Sequence, residues 1–253
     1  NIQEGDVVLV AQPNIPDVLI LIYAINKIGA VCNLVHPFTP YNQIRNIISK
    51  THTKVAFLFE QRIAKEVDKY RDLSDLIYVT RIEDYLPLFK KIFYHCFMNN
   101  AIRKKLGKYR GYFKGFKYLH NLKPTGEPAN EVYDKANKVS VLLHSGSTTG
   151  DPKTICLCDE NFNFIVKRFE YMLAIDTRKL RGKTFLSVLP SFHGFGFCVT
   201  MHLPLANKVG VTLIPKYSAE IVAKTMNKVK IGVICGVPTI FETLLFFLLS
   251  CKI

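Results

Sequence analysis

The chain has 253 residues, 49% of them hydrophobic, which is long enough for one large core or two lobes and excludes a collagen, coiled-coil or disordered class. Its formal charge of +14, from 34 basic and 20 acidic residues, is unevenly spread. Lys90 to Lys123 holds ten Lys or Arg and no Asp or Glu, leaving only +4 elsewhere, so the basicity belongs to one segment and not to the whole molecule.

Seven cysteines occur at Cys32, Cys96, Cys156, Cys158, Cys198, Cys235 and Cys251, most of them in apolar runs. An odd count without a framework spacing predicts reduced, buried thiols and a cytoplasmic protein. Cys156-x-Cys158 would share one face of a strand, but no second Cys/His pair completes a zinc site, and no metal ligands are assigned. No signal peptide is visible, and the apolar runs are too short or interrupted for a transmembrane helix. The first residue is not Met, and the final IFETLLFFLLSCKI reads as a helix cut off partway. The expectation is a fragment at both ends.

In chain order, Asp6–Ala11 predicts a buried strand and Pro16–Ala30 a helix, with Pro at its start and Gly29 near its end. Val31–Val35 is a strand, Pro40–Ser49 a helix, Lys54–Phe59 a strand and Leu76–Val79 another. Glu83 to about Leu106 reads as helix, and Gly107–Asn130 as a loop or insertion. Lys138–Leu143 is a strand leading into LLHSGSTTGDPKTI, and Thr154–Leu157 is the strand leaving it. Asp159 is set to cap a helix running to about Ala174. Then follow strand Thr184–Leu189, apolar helix Phe195–Leu205, strand Val209–Ile214, a helix Ala219–Lys228 capped by Ser218, strand Ile231–Cys235, and a last helix started by Pro238. This alternation predicts an α/β fold: two βαβ-type lobes with mainly parallel sheets flanked by helices.

The loop is the chemically loaded segment. Ser145, Ser147, Thr148 and Thr149 supply hydroxyls, Gly146 and Gly150 free the backbone so that N–H groups can converge on an anion, and Lys153 adds a charge. It is no Walker A loop, because Asp151 and Pro152 separate Gly150 from Lys153 and a strand follows; nor is a dinucleotide fingerprint present. On composition alone, a polyphosphate cradle and a plain solvated hairpin loop both stand.

Residue order adds a resemblance. Thr148-Thr149-Gly150-Asp151-Pro152-Lys153 is similar to the Thr-Thr-Gly-x-Pro-Lys phosphate loop of the adenylate-forming (AMP-binding) superfamily, which includes acyl-CoA synthetases, luciferases and peptide-synthetase adenylation domains. Leu189-Pro190-Ser191-Phe192-His193-Gly194-Phe195-Gly196 resembles its Leu-Pro-x-Phe-His-x-x-Gly segment. GDVVLVAQPNIPDVLILIYAINKIGAVCNLVHPFTP is similar to its opening run, and Gly236-Val237-Pro238-Thr239 to a Gly-Val-Pro-Thr turn. Two positions depart: Ser147 stands where Gly usually precedes Thr-Thr-Gly, which would cost on the order of 1 kcal/mol if φ is positive there, unless Gly146 takes over the turn. Thr154 stands where Gly often follows the lysine, a position already in the strand.

The resemblance implies an incomplete large N-terminal domain over 1–253, with the basic aromatic segment at about 90–130, the phosphate loop at 145–153 and the C-terminal domain absent. The family's Tyr-Gly-x-Thr-Glu segment, ribose-binding aspartate and late catalytic lysine would lie beyond Ile253, so these residues alone are expected to be inactive. In the whole enzyme a substrate carboxylate would attack the α-phosphorus of ATP, pyrophosphate would leave, and a thiol, most often that of CoA, would displace AMP from the acyl-adenylate. Ser145, Gly146, Ser147, Thr148, Thr149, Gly150 and Lys153 would hold the β- and γ-phosphates, with Mg2+ bridging phosphate oxygens. His193 would stand where acyl pocket and α-phosphate meet, as the candidate catalytic residue; the alternative is a core or helix-capping histidine. Phe192, Gly194, Gly236 and Pro238 are candidates for the acyl pocket, with Phe195 and Phe197 either lining it or in the core.

The function so implied is an ATP-dependent acyl- or aryl-CoA ligase, of the fatty-acid metabolism type. The alternatives are an amino-acid-adenylating domain loading a carrier-protein thiol, or a non-catalytic nucleotide- or lipid-binding remnant. Lys90–Lys123 interleaves its basic residues with Phe93, Tyr94, Phe97, Tyr109, Tyr112, Phe113, Phe116 and Tyr118. It reads as a solvated helix and loop, as an anionic-membrane patch on a peripherally bound protein, or as a nucleic-acid or CoA-phosphate patch, with no nucleic acid expected as partner.

Overall fold

The computed structural model describes residues 2–94, 115–123, 126, 130–132, 137–145, 153–168, 171 and 177–250. Two units divide the chain: Asn1–Gln12 with Leu21–Asp134, and Pro13–Ile20 with Lys135–Ile253.

The first unit is built on strands β1 (Val7–Ala11), β2 (Val31–Leu34), β3 (Val55–Phe59), β4 (Ile77–Thr80) and β5 (Lys117–Tyr118). They pair in the order β5-β4-β3-β1-β2, every pair parallel. Helices α1 (Pro16–Lys27) and α2 (Tyr41–Lys50) make the crossovers that parallel pairing requires. Gly29 ends α1 at φ 73°, a left-handed conformation that suits glycine, and its missing side chain leaves room for Glu4 and Val132. The apolar residues of β1, β3 and β4 pack on α2 and on the short α3 (Glu60–Ile63) in one core that includes Leu9, Ile44, Leu58, Ile63, Tyr70 and Ile77. Each such side chain contributes about 1.5–3 kcal/mol by leaving water.

The expected long helix from Glu83 does not form as one piece. A single 3-10 turn, Ile82–Tyr85, stops at Leu86, whose backbone is extended because Pro87 follows. Helix α4 (Leu88–Phe93) starts afresh behind that proline. The part of the expectation beyond residue 94 lies outside the described residues, as does most of Gly107–Asn130, although β5 adds a strand within that stretch.

In the second unit, β6 (Val139–His144) and β7 (Thr154–Cys158) form an antiparallel hairpin. Strands β8 (Thr184–Ser187), β9 (Gly210–Leu213) and β10 (Ile231–Cys235) form a parallel sheet ordered β10-β8-β9. Helix α5 (Asp159–Lys167) follows β7 directly. Its N-cap is Cys158, one residue earlier than expected: Asn161 Oδ1 accepts from the Cys158 backbone N–H at 2.9 Å and from its thiol at 3.2 Å. Asp159 is thereby the first helical residue, and its carboxylate is taken by Ser140 and by Lys138 at 2.8 Å.

The expected apolar helix after residue 194 runs as α6 (Gly194–Phe197), a π-helical stretch Cys198–His202, and α7 (Leu203–Ala206). Pro204 has no N–H for the Thr200 carbonyl and its ring crowds that group, so the chain takes a wider turn just before it. Helices α8 (Ala219–Met226) and α9 (Pro238–Ser250) cover the parallel sheet with Val222, Ala223, Ile240 and Leu244. Ser218 takes the N-cap position of α8, but its side chain makes no capping bond. Among the free cysteines described, Cys32 and Cys198 are buried as expected, whereas Cys156 is exposed and Cys158 and Cys235 are half-buried. Among the described residues no group of His, Cys, Asp and Glu could hold a metal ion, and no helix is long and apolar enough to cross a membrane.

Candidate active site

The second unit brings together both ends of the glycine-rich loop and the segment carrying His193. At the mouth of the β6–β7 hairpin, the Ser145 N–H donates to the Lys153 carbonyl at 2.9 Å, and the Lys153 N–H donates to Ser145 Oγ at 3.0 Å. The two residues therefore lock the base of the loop, and Lys153 leaves it with an exposed side chain. Gly146, Ser147, Thr148, Thr149 and Gly150 lie outside the described residues. Beside the base, His144 Nδ1 and Thr154 Oγ1 are 3.3 Å apart, and burial lowers the pKa of the His144 imidazole.

The second segment leaves the C-terminal end of β8. Parallel strands direct their following loops to one edge, where open α/β sheets place their ligands. Ser187, the last residue of β8, pairs with Cys235, the last of β10. The loop 188–193 and the turn Gly236–Pro238 thus leave the same edge side by side.

The loop after β8 is fixed by a residue far away in sequence. Asn14, buried to 4% exposure, donates from Nδ2 to the carbonyls of Leu189 (2.9 Å) and Ser187 (3.4 Å), and its Oδ1 accepts from the Ser191 N–H at 3.1 Å. One amide thus serves the Leu189 carbonyl and the Ser191 N–H, and shares the Ser187 carbonyl with the Ile214 N–H. A second brace lies beneath. Thr200 Oγ1 donates to the Gly196 carbonyl at 2.6 Å, which leaves Ser187 Oγ as the donor in its 2.7 Å contact with Thr200 Oγ1. Gly196 lies so close to the loop that a Cβ there would overlap the Pro190 carbonyl oxygen.

These braces deliver His193 to the N-terminus of α6. Its backbone is extended there, with φ −105° and ψ 136°, its side chain makes no capping bond, and it is exposed. Of the readings open in the sequence, a core histidine does not match this exposure, while the residue does occupy the N-cap position without a capping bond from its side chain. Its ring lies 4.6 Å from that of half-buried Phe192. Phe197 is core, 2% exposed and edge-on to Phe162 at 5.2 Å, whereas Phe195 is 53% exposed. A Cβ on Gly194 would touch Leu143, the residue of β6 two places before Ser145. The start of α6 therefore packs against the strand that feeds the glycine-rich loop.

Sequence reading alone did not single out Asn14 or Thr200. The Pro13-Asn14 pair stood in the quoted opening run, but its partners are more than 170 residues away.

Comparison with known proteins agrees with this layout. A family model described as AMP-binding enzyme matches residues 1–251. A long-chain-fatty-acid–CoA ligase of Bacillus subtilis (strain 168) is 26% identical over 248 residues, covering 96% of this chain and 43% of that protein. A 4-coumarate–CoA ligase-like protein of Arabidopsis thaliana is 23% identical over 250 residues, covering 96% and 40%. The chain thus spans about two-fifths of the length of these curated relatives. In fold it is similar to ATP-bound MatB from Rhodopseudomonas palustris, with TM-score 0.68 at 16% identity over 97% of this chain and 42% of that one. It is similar too to the O-succinylbenzoate CoA synthetase MenE of Bacillus subtilis in complex with AMP, with TM-score 0.65 at 16% identity over 97% and 52%. With its family model matched almost from end to end, the chain belongs to the AMP-binding enzyme family.

Proposed function

We propose that the full-length protein is an AMP-forming acid–thiol ligase that joins a carboxylic acid to CoA through an acyl-adenylate. The observation that carries this reading is the packing of Gly194 against Leu143, which sets the His193 segment beside the strand feeding the Ser145–Lys153 loop. The curated relatives named as CoA ligases support the acceptor.

The donor set fits polyphosphate. Ser145 and Lys153 lock a narrow loop base, and the residues between them are hydroxyl- and glycine-rich, so hydroxyls, amides and the Lys153 ammonium would gather on the β- and γ-phosphates. Among the described residues no group of His, Cys, Asp and Glu could hold a metal ion, and Mg2+ would enter with the nucleotide. ATP supplies the activated phosphorus. His193, exposed and braced from below, would orient the substrate carboxylate towards it, with Phe192 and the Gly236–Pro238 turn bordering the acyl group. Partners would then be the acid, ATP and CoA, together with an anionic membrane surface reached through Lys90–Lys123.

The test is ATP–pyrophosphate exchange by the full-length protein across short and long fatty acids, aryl acids and amino acids, with Lys153→Ala in parallel. Exchange that depends on one acid class and falls about 100-fold in the variant is expected, the size of losing one charge-assisted contact at developing charge. A folded full-length protein that exchanges with no acid would overturn the reading. Exchange confined to amino acids would replace CoA by a carrier-protein thiol.

A further inference from the structure

Strands β8, β9 and β10 run parallel, so all three begin at one edge of their sheet, opposite the edge that the His193 loop leaves. The turns leading into them are basic. Lys179, Arg181 and Lys183 precede β8, Lys208 precedes β9, and Lys228 and Lys230 precede β10; all six are exposed. Each turn also anchors an apolar residue among its cations: Leu180 at 5% exposure, Val209 at 7%, and half-buried Val229. Leu180 and Val209 join Phe185 and Leu203 in one core. The charges are therefore carried on turns fastened to the sheet.

Register brings them side by side. Thr184 of β8 pairs with Ile231 of β10 and Gly210 of β9, and its N–H donates to the Lys230 carbonyl at 2.9 Å. A Cβ on Gly232 would crowd Lys183 Cβ, so the stem of Lys183 lies against β10, two residues from Lys230. Lys208 has φ 60°, a left-handed conformation at the end of α7 where glycine is the usual occupant. With strands about 4.8 Å apart, the edge is only about 10 Å wide.

No neighbouring carboxylate in the sequence offsets this charge: Thr177–Ser218 and Asn227–Ile231 contain no Asp or Glu. Among the described acidic residues of this unit, Asp159 is taken by Ser140 and Lys138, and Glu220 by Lys224. Glu220 and Glu242 lie on α8 and α9, which follow the other ends of β9 and β10. Crowded like charges call for an anionic partner. A second copy would bring two such edges together and be repelled. These turns hold no aromatic on which a single nucleic-acid strand could stack, and no helix or ribbon projects from them to read a duplex groove. A carboxylate-rich protein favours the forked contacts of arginine, whereas five of these six cations are lysines, point charges that meet phosphate without fixed geometry. No large apolar side chain of the turns is exposed. A flat row of lysines without an inserting group matches the phosphate headgroups of an anionic bilayer.

We infer that the edge where β8, β9 and β10 begin docks this protein on anionic membrane surfaces, by charge and without insertion. The docking uses no residue of Lys90–Lys123 and does not depend on the ligase reading, so each can fail alone.

The experiment is co-sedimentation of the full chain with phosphatidylcholine vesicles, alone and with phosphatidylglycerol. Binding is expected only where phosphatidylglycerol is present, and it should vanish as salt rises. The pair Lys183→Gln and Lys230→Gln, which keeps the polar character of two exposed side chains, should lower it about tenfold or more. The pair Lys216→Gln and Lys224→Gln removes the same charge from segments that follow the other end of β9 and should leave binding unchanged. No binding to the anionic vesicles, binding that persists in high salt, or equal losses in the two pairs would each overturn the proposal. So would a chain that binds duplex DNA through Lys183 and Lys230 and ignores the vesicles.

Discussion

The loop 188–193 and helix α4 solve opposite problems. The loop carries an exposed histidine on a backbone with few partners of its own, and the protein reaches across more than 170 residues to brace it with Asn14. Helix α4 has a strong internal pattern, yet Leu88, Phe89, Ile92 and Phe93 along its apolar arc are exposed. The difference teaches where order is needed before a ligand arrives. A residue proposed to orient a reacting group has to be held by the fold itself, whereas an exposed apolar arc on a short helix calls for no such brace.

The largest expected effect comes from breaking the braced side of this contrast. Gly196→Ala forces a methyl group into the Pro190 carbonyl, and because the obstacle is backbone, no side-chain rotation relieves it. A loss of about 3 kcal/mol in urea unfolding is expected, the upper range for overpacking. Asn14→Ala should follow at about 2 kcal/mol, since it strands the Ser191 N–H and the Leu189 carbonyl in a buried site. In the full-length protein Asn14→Ala should also depress exchange more than the stability loss explains, through the misplaced His193. By contrast Phe89→Ser in α4 should leave stability within about 0.5 kcal/mol. If it destabilises as much as Asn14→Ala, α4 has a covering partner within the fold and the contrast collapses.

How much of this was legible in the sequence differs in the same way. The β-α alternation was readable because buried parallel strands are short, branched and apolar, and proline and glycine mark the ends of α1 and the start of α9. The His193 segment was readable from residue order. Asn14 was not, because a side chain's hydrogen bonds to backbone 170 residues distant leave no periodicity to detect. The long helix expected from Glu83 overlooked Pro87, which forces Leu86 into extended geometry. Nor could the exposure of the apolar arc of α4 be foreseen, because periodicity says that a helix has two sides and not which one is covered.

The two units also carry opposite responses to pH. In the first, Glu60 is pushed up to about 7, by burial first and then by Glu83, against the pull of Arg81. Its contribution is complete below its ordinary value of about 4.5 and is lost as the pH rises through about 7. In the second, burial lowers the pKa of His144 and of His202, with Asp159 opposing the shift at His202. Their contribution is present above the ordinary histidine value of about 6.5 and is lost as the pH falls through the lowered values. Moving from pH 8 to pH 5.5 should therefore strengthen the first unit, by about 1–2 kcal/mol, and weaken the second. Hydrogen exchange corrected for intrinsic rates, followed at β3 and β6, measures both at once. Glu60→Gln should flatten the response at β3 alone. A shift of the same sign in both strands would break the distinction.

The smallest effect separates two helix caps in the second unit. Cys158 and Asn161 form a reciprocal cap at α5, with the Asn161 carbonyl accepting from the Cys158 backbone. Ser218 holds the equivalent place at α8 and is the residue type favoured there, yet its hydroxyl accepts from no helix N–H. Residue type alone would rank Ser218 as the stronger cap, whereas the bonds rank the Cys158–Asn161 pair first. Asn161→Ala should cost about 1 kcal/mol, and Ser218→Ala less than about 0.5 kcal/mol. Paired thermal melts of the two variants decide between the rankings. A larger loss at Ser218 would mean that its hydroxyl turns to the helix in solution, and that α8 is held by its own cap and not only by the burial of Val222 and Ala223 against β8.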